Sequence, residues 1–315
     1  MWYLIAAAIL VLVILPPLFL SYLIFAGVLV RTKKTKWARG ISMEEDRQLA
    51  QMYEEGCAWE EKNRARKTAV TVKSGSLTLA GEYFDFGAKR AVIVIPGRME
   101  TCVYSYFFAS PYEKCGFNVL VIDNRAHGES DGRLNCLGYR EEKDVLAWAA
   151  FLHDKKGNES VLLHGVCVGS STALFALVDP ACPAYVDRMV ADGIYASFYE
   201  TFRTHMIEQH HPTFPFVPCV MLYVRLFCGG DPKHDGPLAR ISRLEKPILF
   251  LHSEEDVFSL PARTRTIYEK CTAPKRIVWF EKGAHSRLRV TDPEKYDRAV
   301  AEFLTDPPEK KAEEK

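Results

Sequence analysis

The chain has 315 residues, with 41 Lys and Arg against 40 Asp and Glu, and 48% of its residues are hydrophobic. A net charge of +1 excludes the basic footprint of a nucleic-acid-binding protein, and the length allows one large domain with an appendage. The nine cysteines are odd in number and form no CxxC pair, so neither a disulfide framework nor a zinc site is expected, and a reducing compartment fits.

Residues 1–30 carry no charged side chain, a run longer than the roughly twenty apolar residues that cross a bilayer. Arg31, Lys33, Lys34, Lys36 and Arg39 follow at once, whereas no basic residue precedes the run as a secretory signal would require. The pattern predicts a single-pass transmembrane helix in the lipid bilayer, kinked at Pro16-Pro17. The charge bias puts the N-terminus outside and the catalytic domain in the cytoplasm, at the cell membrane. A cleaved export signal and a proline-centred re-entrant hairpin are the alternatives. Residues 31–67 read as a basic flank and an amphipathic linker helix, with Ser42 and Glu45 as its capping box.

From residue 68 to 306 strand and helix patterns alternate. Strands are expected over 68–72, 77–83, 91–95, 119–122, 161–163, 188–191, 247–251 and 276–280. Helical spacing marks 104–114, 140–154, 172–177 and 198–207. This order predicts an α/β domain with a mainly parallel sheet and helices on both faces. The alternation lapses between 194 and 246, where prolines at 212, 215 and 218 and a Phe-, Tyr- and Met-rich stretch read as a lid. The charged tail, 307–315, is expected to be disordered.

The most informative stretch follows the fifth expected strand. Gly165-Val166-Cys167-Val168-Gly169 joins a buried strand to a small-to-apolar helix. Small residues two before and two after Cys167 let the backbone turn sharply, so that the central side chain projects beside a helix N-terminus. That terminus would stabilise a thiolate or a developing oxyanion. A glycine-bracketed cysteine alone is also compatible with an inert buried thiol. Ser170 is a competing nucleophile. A carboxylate, Asp256, follows the 247–251 strand, with Glu254 and Glu255 as alternatives that sit less well relative to the strand end. His285 follows the last strand after a Gly-Ala turn. Asp123 and His127 read as structural, and the lid histidines 205, 210, 211 and 234 as a solvated surface, so no metal or cofactor is expected.

The chain order Cys167, Asp256, His285 resembles the nucleophile–acid–histidine order of the α/β-hydrolase superfamily. Pro96-Gly97-Arg98 occupies the place of that family's oxyanion loop, and DNRAHGES at 123–130 is similar to its D-x-R-x-x-G-x-S stretch. Within the superfamily the chain resembles the lysophospholipase-like and serine aminopeptidase-like hydrolases, with cysteine in place of serine and proline in place of the oxyanion-loop histidine. The resemblance implies an α/β-hydrolase fold with an eight-stranded sheet and a short lid. It also implies a Cys167–His285–Asp256 triad, with the backbone N–H groups of Arg98 and Val168 as oxyanion donors. The implied reaction is cleavage of an ester or thioester of an apolar acyl group. An acyltransferase using the same cysteine, or a membrane-tethered binding protein without catalysis, are the rival readings.

Overall fold

The computed structural model describes residues 1–3, 5, 10–40 and 46–308. Eight strands form one sheet: β1 (Lys67–Ser74), β2 (Leu77–Phe84), β3 (Arg90–Ile95), β4 (Phe117–Ile122), β5 (Ser160–Val166), β6 (Val186–Asp192), β7 (Ile248–Ser253) and β8 (Lys275–Phe280). Their spatial order is β1-β2-β4-β3-β5-β6-β7-β8. The β1–β2 and β2–β4 pairings are antiparallel and the other five parallel, so β2 alone runs against the rest.

Alternation along the strands divides the core into two layers. Ala91, Ile93 and Ile95 of β3 face one layer with Trp148 and Phe175, while Val92 and Val94 face the other with Phe108, Tyr112 and Phe303. The helices are α1 (Leu15–Leu29), α2 (Arg47–Asn63), α3 (Glu141–Lys156), α4 (Val168–Val178), α5 (Phe198–Glu208), α6 (Phe216–Cys228), α7 (Pro261–Lys270) and α8 (Pro293–Thr305), apart from short turns. The chain crosses from β3 to β4 on one side, then returns to place β5 on the other. Such a reversal opens a crevice at the carboxyl ends of the strands, where ligands bind in open α/β sheets.

One expectation changes here, and two others fall wholly or mostly outside the described residues. The 104–114 helix is broken into Cys102–Ser105, a 3₁₀ turn at Tyr106–Phe108, and Ser110–Lys114, since Pro111 cannot continue a helix from the preceding turn. Ser42 and Glu45 lie outside the described residues, and helix α2 is capped by Asp46, whose side chain accepts from Gln48 N and Leu49 N. Most of the 307–315 tail likewise lies outside them.

The largest change concerns residues 1–30. Among the described residues, no helix is long and apolar enough to cross a membrane. Helix α1 has 15 residues and continues a π-helical turn at Leu10–Ile14. Its C-terminal half is part of the domain. Ser21, Phe25 and Leu29 are buried, Phe25 packs on Phe227 and Tyr223 of α6, and Tyr223 Oη donates to Leu18 O. Lys36 Nζ donates to the Ala26 and Gly27 carbonyls, and Arg98 Nη1 donates to Val28 O. Val30 then bridges to Leu134, and Arg39 pairs with buried Glu82 and Asp123. The expected single-pass anchor, the membrane localisation with its topology, and the bilayer as a partner through residues 1–30 are therefore corrected. Of the basic residues after the apolar run, Lys36 caps the C-terminus of α1 and Arg39 neutralises Glu82 and Asp123.

A fully buried Leu29 makes a direct prediction. Leu29→Ala should lower stability by about 2–5 kcal/mol, read from urea unfolding, because it leaves a cavity between α1 and the lid. A loss below about 1 kcal/mol would mean that α1 is not part of the core.

Candidate active site

Cys167 stands where β5 ends and α4 begins, with φ 54° and ψ −114°. A non-glycine residue in this region is strained, and neighbours must hold it there. Cys167 N donates to Asp192 O at 2.8 Å. The flanking glycines are needed for close approach: a Cβ on Gly165 would lie 2.3 Å from the Gly169 backbone, and one on Gly169 would lie 2.1 Å from Ile95 O. The turn therefore packs against the end of β3. Val168 is the first residue of α4, so its N–H has no intrahelical acceptor and faces the same region.

Ser170 is fully buried, and its Oγ donates to Gly165 O and lies 3.0 Å from Asp192 O. It braces the elbow and does not compete with Cys167.

Asp256 follows β7 in a tight turn. Its Oδ1 accepts from Phe258 N at 2.9 Å and Ser259 N at 2.7 Å, leaving Oδ2 for His285 Nδ1 at 2.7 Å. Burial pushes the Asp256 carboxyl up, but the hydrogen bond and charge of His285 outweigh it and hold the group below the usual carboxylate range. The alternative acids are occupied elsewhere. Glu254 pairs with Arg265 and Glu255 is exposed, with Oε2 accepting from Gly283 N.

His285 lies against Cys167. Burial pulls its pKa down, yet the neighbouring Cys167 sulfur and the Asp256 carboxylate raise it well above the ordinary imidazole value. Phe258 covers the imidazole, with ring centroids 5.6 Å apart. Around Cys167 and Val168 packs an apolar cluster that includes Leu29 of α1, Leu137, Tyr195, Phe198 of α5 and Val220 of α6. Helices α5 and α6, from the stretch expected to be a lid, thus share this cluster with α1.

The loop after β3 brings Gly97 close to Cys167, where a Cβ on Gly97 would lie 3.6 Å from Cys167 Cβ. Arg98 is next in the chain. Its carbonyl lies 2.6 Å from His127 Nε2, and His127 stacks on Trp37 at 4.4 Å. Asp123 accepts from Cys102 N, Glu129 N and Arg39 Nε. Asp123 and His127 thus hold the loops, as the sequence suggested. Of the lid histidines, His234 lies 3.2 Å from Asp231 and His205 packs near the Phe258 ring. Among the described residues, no group of three His, Cys, Asp or Glu could hold a metal ion.

Sequence reasoning missed the support beneath the elbow. Buried His164 sits between Tyr112 Oη at 2.9 Å and Tyr296 Oη at 3.1 Å, and Tyr296 Oη donates to Asp192 Oδ2 at 2.9 Å. Burial lowers His164 to about 3 and raises Asp192 to about 7. The three hydrogen-bonded pairs among these four residues are 52, 132 and 104 positions apart, so no local pattern marks them.

The Asp256–His285 pair implies a pH window. Asp256 is held below its unfolded value, so its contribution is present above about pH 3.9 and is lost as pH falls through the folded value. His285 is held above its unfolded value, so its contribution is complete below about pH 6.5 and is lost as pH rises through the folded value. The destabilisation caused by Asp256→Asn should therefore peak between about pH 4 and 6.5 in urea titrations. A destabilisation that grows steadily above pH 8 would contradict the pairing.

Residues 90–215 match the family described as alpha/beta hydrolase fold. The Bacillus subtilis (strain 168) protein YqkD, itself uncharacterized, is 29% identical over 215 residues, 68% of this chain and 70% of that protein. Among solved structures, the Pyrococcus furiosus esterase Pf2001 is similar with a TM-score of 0.66 at 23% identity, covering 79% of this chain and 94% of the esterase. The Pyrococcus horikoshii acylaminoacyl peptidase is similar with a TM-score of 0.55 at 17% identity, covering 79% of this chain and 42% of the peptidase. With the strand order and the sharp turn after β5, these likenesses identify the architecture: the chain has the α/β-hydrolase fold.

Proposed function

We propose that this protein is a hydrolase that cleaves the ester or thioester bond of an apolar acyl group through a covalent intermediate on Cys167. The observation that carries the reading is the convergence of Asp256, His285 and Cys167, from three separate loops, on one strained turn. The esterase and peptidase likenesses support a hydrolytic reaction. The apolar cluster in which Cys167 packs supports an apolar acyl group.

In this reading the Cys167 thiolate faces the imidazolium of His285. The sulfur attacks the carbonyl carbon, and the oxygen becomes an anion that accepts from Val168 N and Arg98 N. As the intermediate collapses, the C–O or C–S bond to the leaving group breaks, and His285 gives its proton to that group. A thioester of Cys167 remains. Neutral His285 then takes a proton from water as the oxygen adds to the thioester carbonyl. Expulsion of the Cys167 thiolate releases the acid and restores the ion pair. Asp256 keeps the imidazole in the tautomer and orientation this cycle needs.

Turnover of p-nitrophenyl esters of increasing chain length tests the proposal. Cys167→Ala and His285→Ala should each lower kcat by several orders of magnitude, and combining them should add little, as for residues that act as one unit. Glu255→Gln should be mild. Limiting iodoacetamide should label Cys167 ahead of the other eight cysteines, and adding an alkyl amine should leave the carboxylic acid as the main product. Near-wild-type turnover in folded Cys167→Ala would overturn the proposal, and quantitative amide formation would turn it into acyl transfer.

A further inference from the structure

Nothing in the triad uses Glu100, although it is a carboxylate only 9% exposed and within one turn of the nucleophile. Its Oε2 accepts from Gly97 N at 3.1 Å, while Glu100 N donates to Gly97 O at 3.2 Å. This reciprocal pair closes the turn Gly97–Glu100 in the same way as a capping box closes a helix start. Gly97 N is thus consumed inside the turn, which leaves the N–H of Arg98 as the next donor along the loop in the proposed mechanism. A Cβ on Gly97 would lie 3.1 Å from Glu100 Oε2 and 3.6 Å from Cys167 Cβ, so the carboxylate packs on the nucleophile side of the loop.

The other carboxylate oxygen points across the site. Glu100 Oε1 lies 3.4 Å from Arg287 Nη1, and Arg287 is two residues past His285. Arg287 N donates to Ala284 O at 3.0 Å, closing the turn that carries His285 and the strained Ser286 at φ 56°. The two side chains are 12% and 14% exposed, so their charges are screened less than those of a surface pair. Arg287 also lies 3.9 Å from Asp46, the N-cap of α2.

We propose that Glu100 is a positioning residue, with one oxygen shaping the oxyanion-side loop after β3 and the other tying that loop, through Arg287, to the histidine loop after β8. The inference rests on the hydrolase reading above. Those loops leave strands that are not neighbours, since β5, β6 and β7 lie between β3 and β8. The sheet by itself therefore sets their separation only loosely. A tetrahedral intermediate needs its oxyanion donors and the imidazole at one carbon, and a misplacement of about 1 Å can cost about a hundredfold in rate. The Glu100–Arg287 pair holds the two loops at a fixed separation.

Single-turnover p-nitrophenol release from p-nitrophenyl butyrate, with enzyme in excess, tests this. Glu100→Gln keeps a carbonyl oxygen for Gly97 N and removes the charge facing Arg287. It should slow acylation about tenfold, with substrate half-saturation within twofold, as should Arg287→Gln. The double variant should be no slower than the worse single one, because both remove one interaction. Glu100→Ala, which also frees Gly97 N, should be slower by about a hundredfold. Glu100→Asp should recover part of the rate. Unchanged acylation in folded Glu100→Ala and Glu100→Gln, or Glu100 and Arg287 effects that multiply, would overturn the role while leaving the hydrolase reading intact. Release at the wild-type rate from Cys167→Ala would overturn both. If Glu100→Ala does not fold, the Gln variants and their double decide the matter.

Discussion

The hydrogen bond from Cys167 N to Asp192 O holds a non-glycine residue in a left-handed conformation at the end of the central strand. That conformation is unfavourable for an L-residue and persists only where the surroundings over-determine it. Here the surroundings are specific. Gly165 and Gly169 admit the β3 and α4 backbones at distances no side chain would allow, and Ser170 bonds the same Asp192 carbonyl from below. Asp192 is fixed in turn by Tyr296, Tyr296 meets His164, and His164 meets Tyr112. The strain at one residue is thus carried by a buried polar chain that runs from the elbow into the layer beneath the sheet. Neutral His164 suits this place, since a charged imidazole without a carboxylate contact would be costly there.

The upper side of the site is built differently. Apolar side chains from α1, α5 and α6 cover Cys167 and Val168, and few polar bonds tie these helices to the sheet. Cover of this kind has low directional specificity and can part without breaking a hydrogen-bond network. In the hydrolase reading proposed above, the rigid floor would keep Cys167 strained, while the apolar roof would admit an acyl chain. The carboxyl end of α1 is the exception. There the helix carbonyls accept from Lys36 and Arg98, and Arg31 Nη2 donates to Gly128 O. The roof is hinged to the floor at the loop that follows β4.

Much of this architecture was legible in the chain. Continuous apolar runs such as Val92–Val94 can only be strands buried on both faces, and their alternation with helical spacing dictates a wrapped parallel sheet. The glycine bracket around Cys167 and the positions of Asp256 and His285 just past strands were equally plain, because steric need and chain order are local properties. The offset from the strand end favoured Asp256 over Glu255, and the turn agrees with it, since it aims Asp256 Oδ2 at His285 and leaves Glu255 exposed.

Residues 1–30 show where sequence reasoning stops. Their lack of charge says that the segment avoids water, and a run of basic residues after it says that something negative lies nearby. Hydropathy cannot say whether the apolar partner is lipid or protein, since burial against either removes the same surface from water. Nor can charge distinguish an external surface from a helix terminus and internal carboxylates. The packing of Phe25 on α6, the capping by Lys36 and the pairing of Arg39 with Asp123 show that the carboxyl end of the run and the residues after it belong to the domain, and each joins residues that are distant in the chain or bound through the backbone. The sequence by itself determined the sheet, the elbow and the order of the three site residues, because these follow from periodicity and local sterics. Only the tertiary structure decided what packs over Cys167 and which buried groups hold the strained turn, because those depend on long-range contacts that no local pattern encodes.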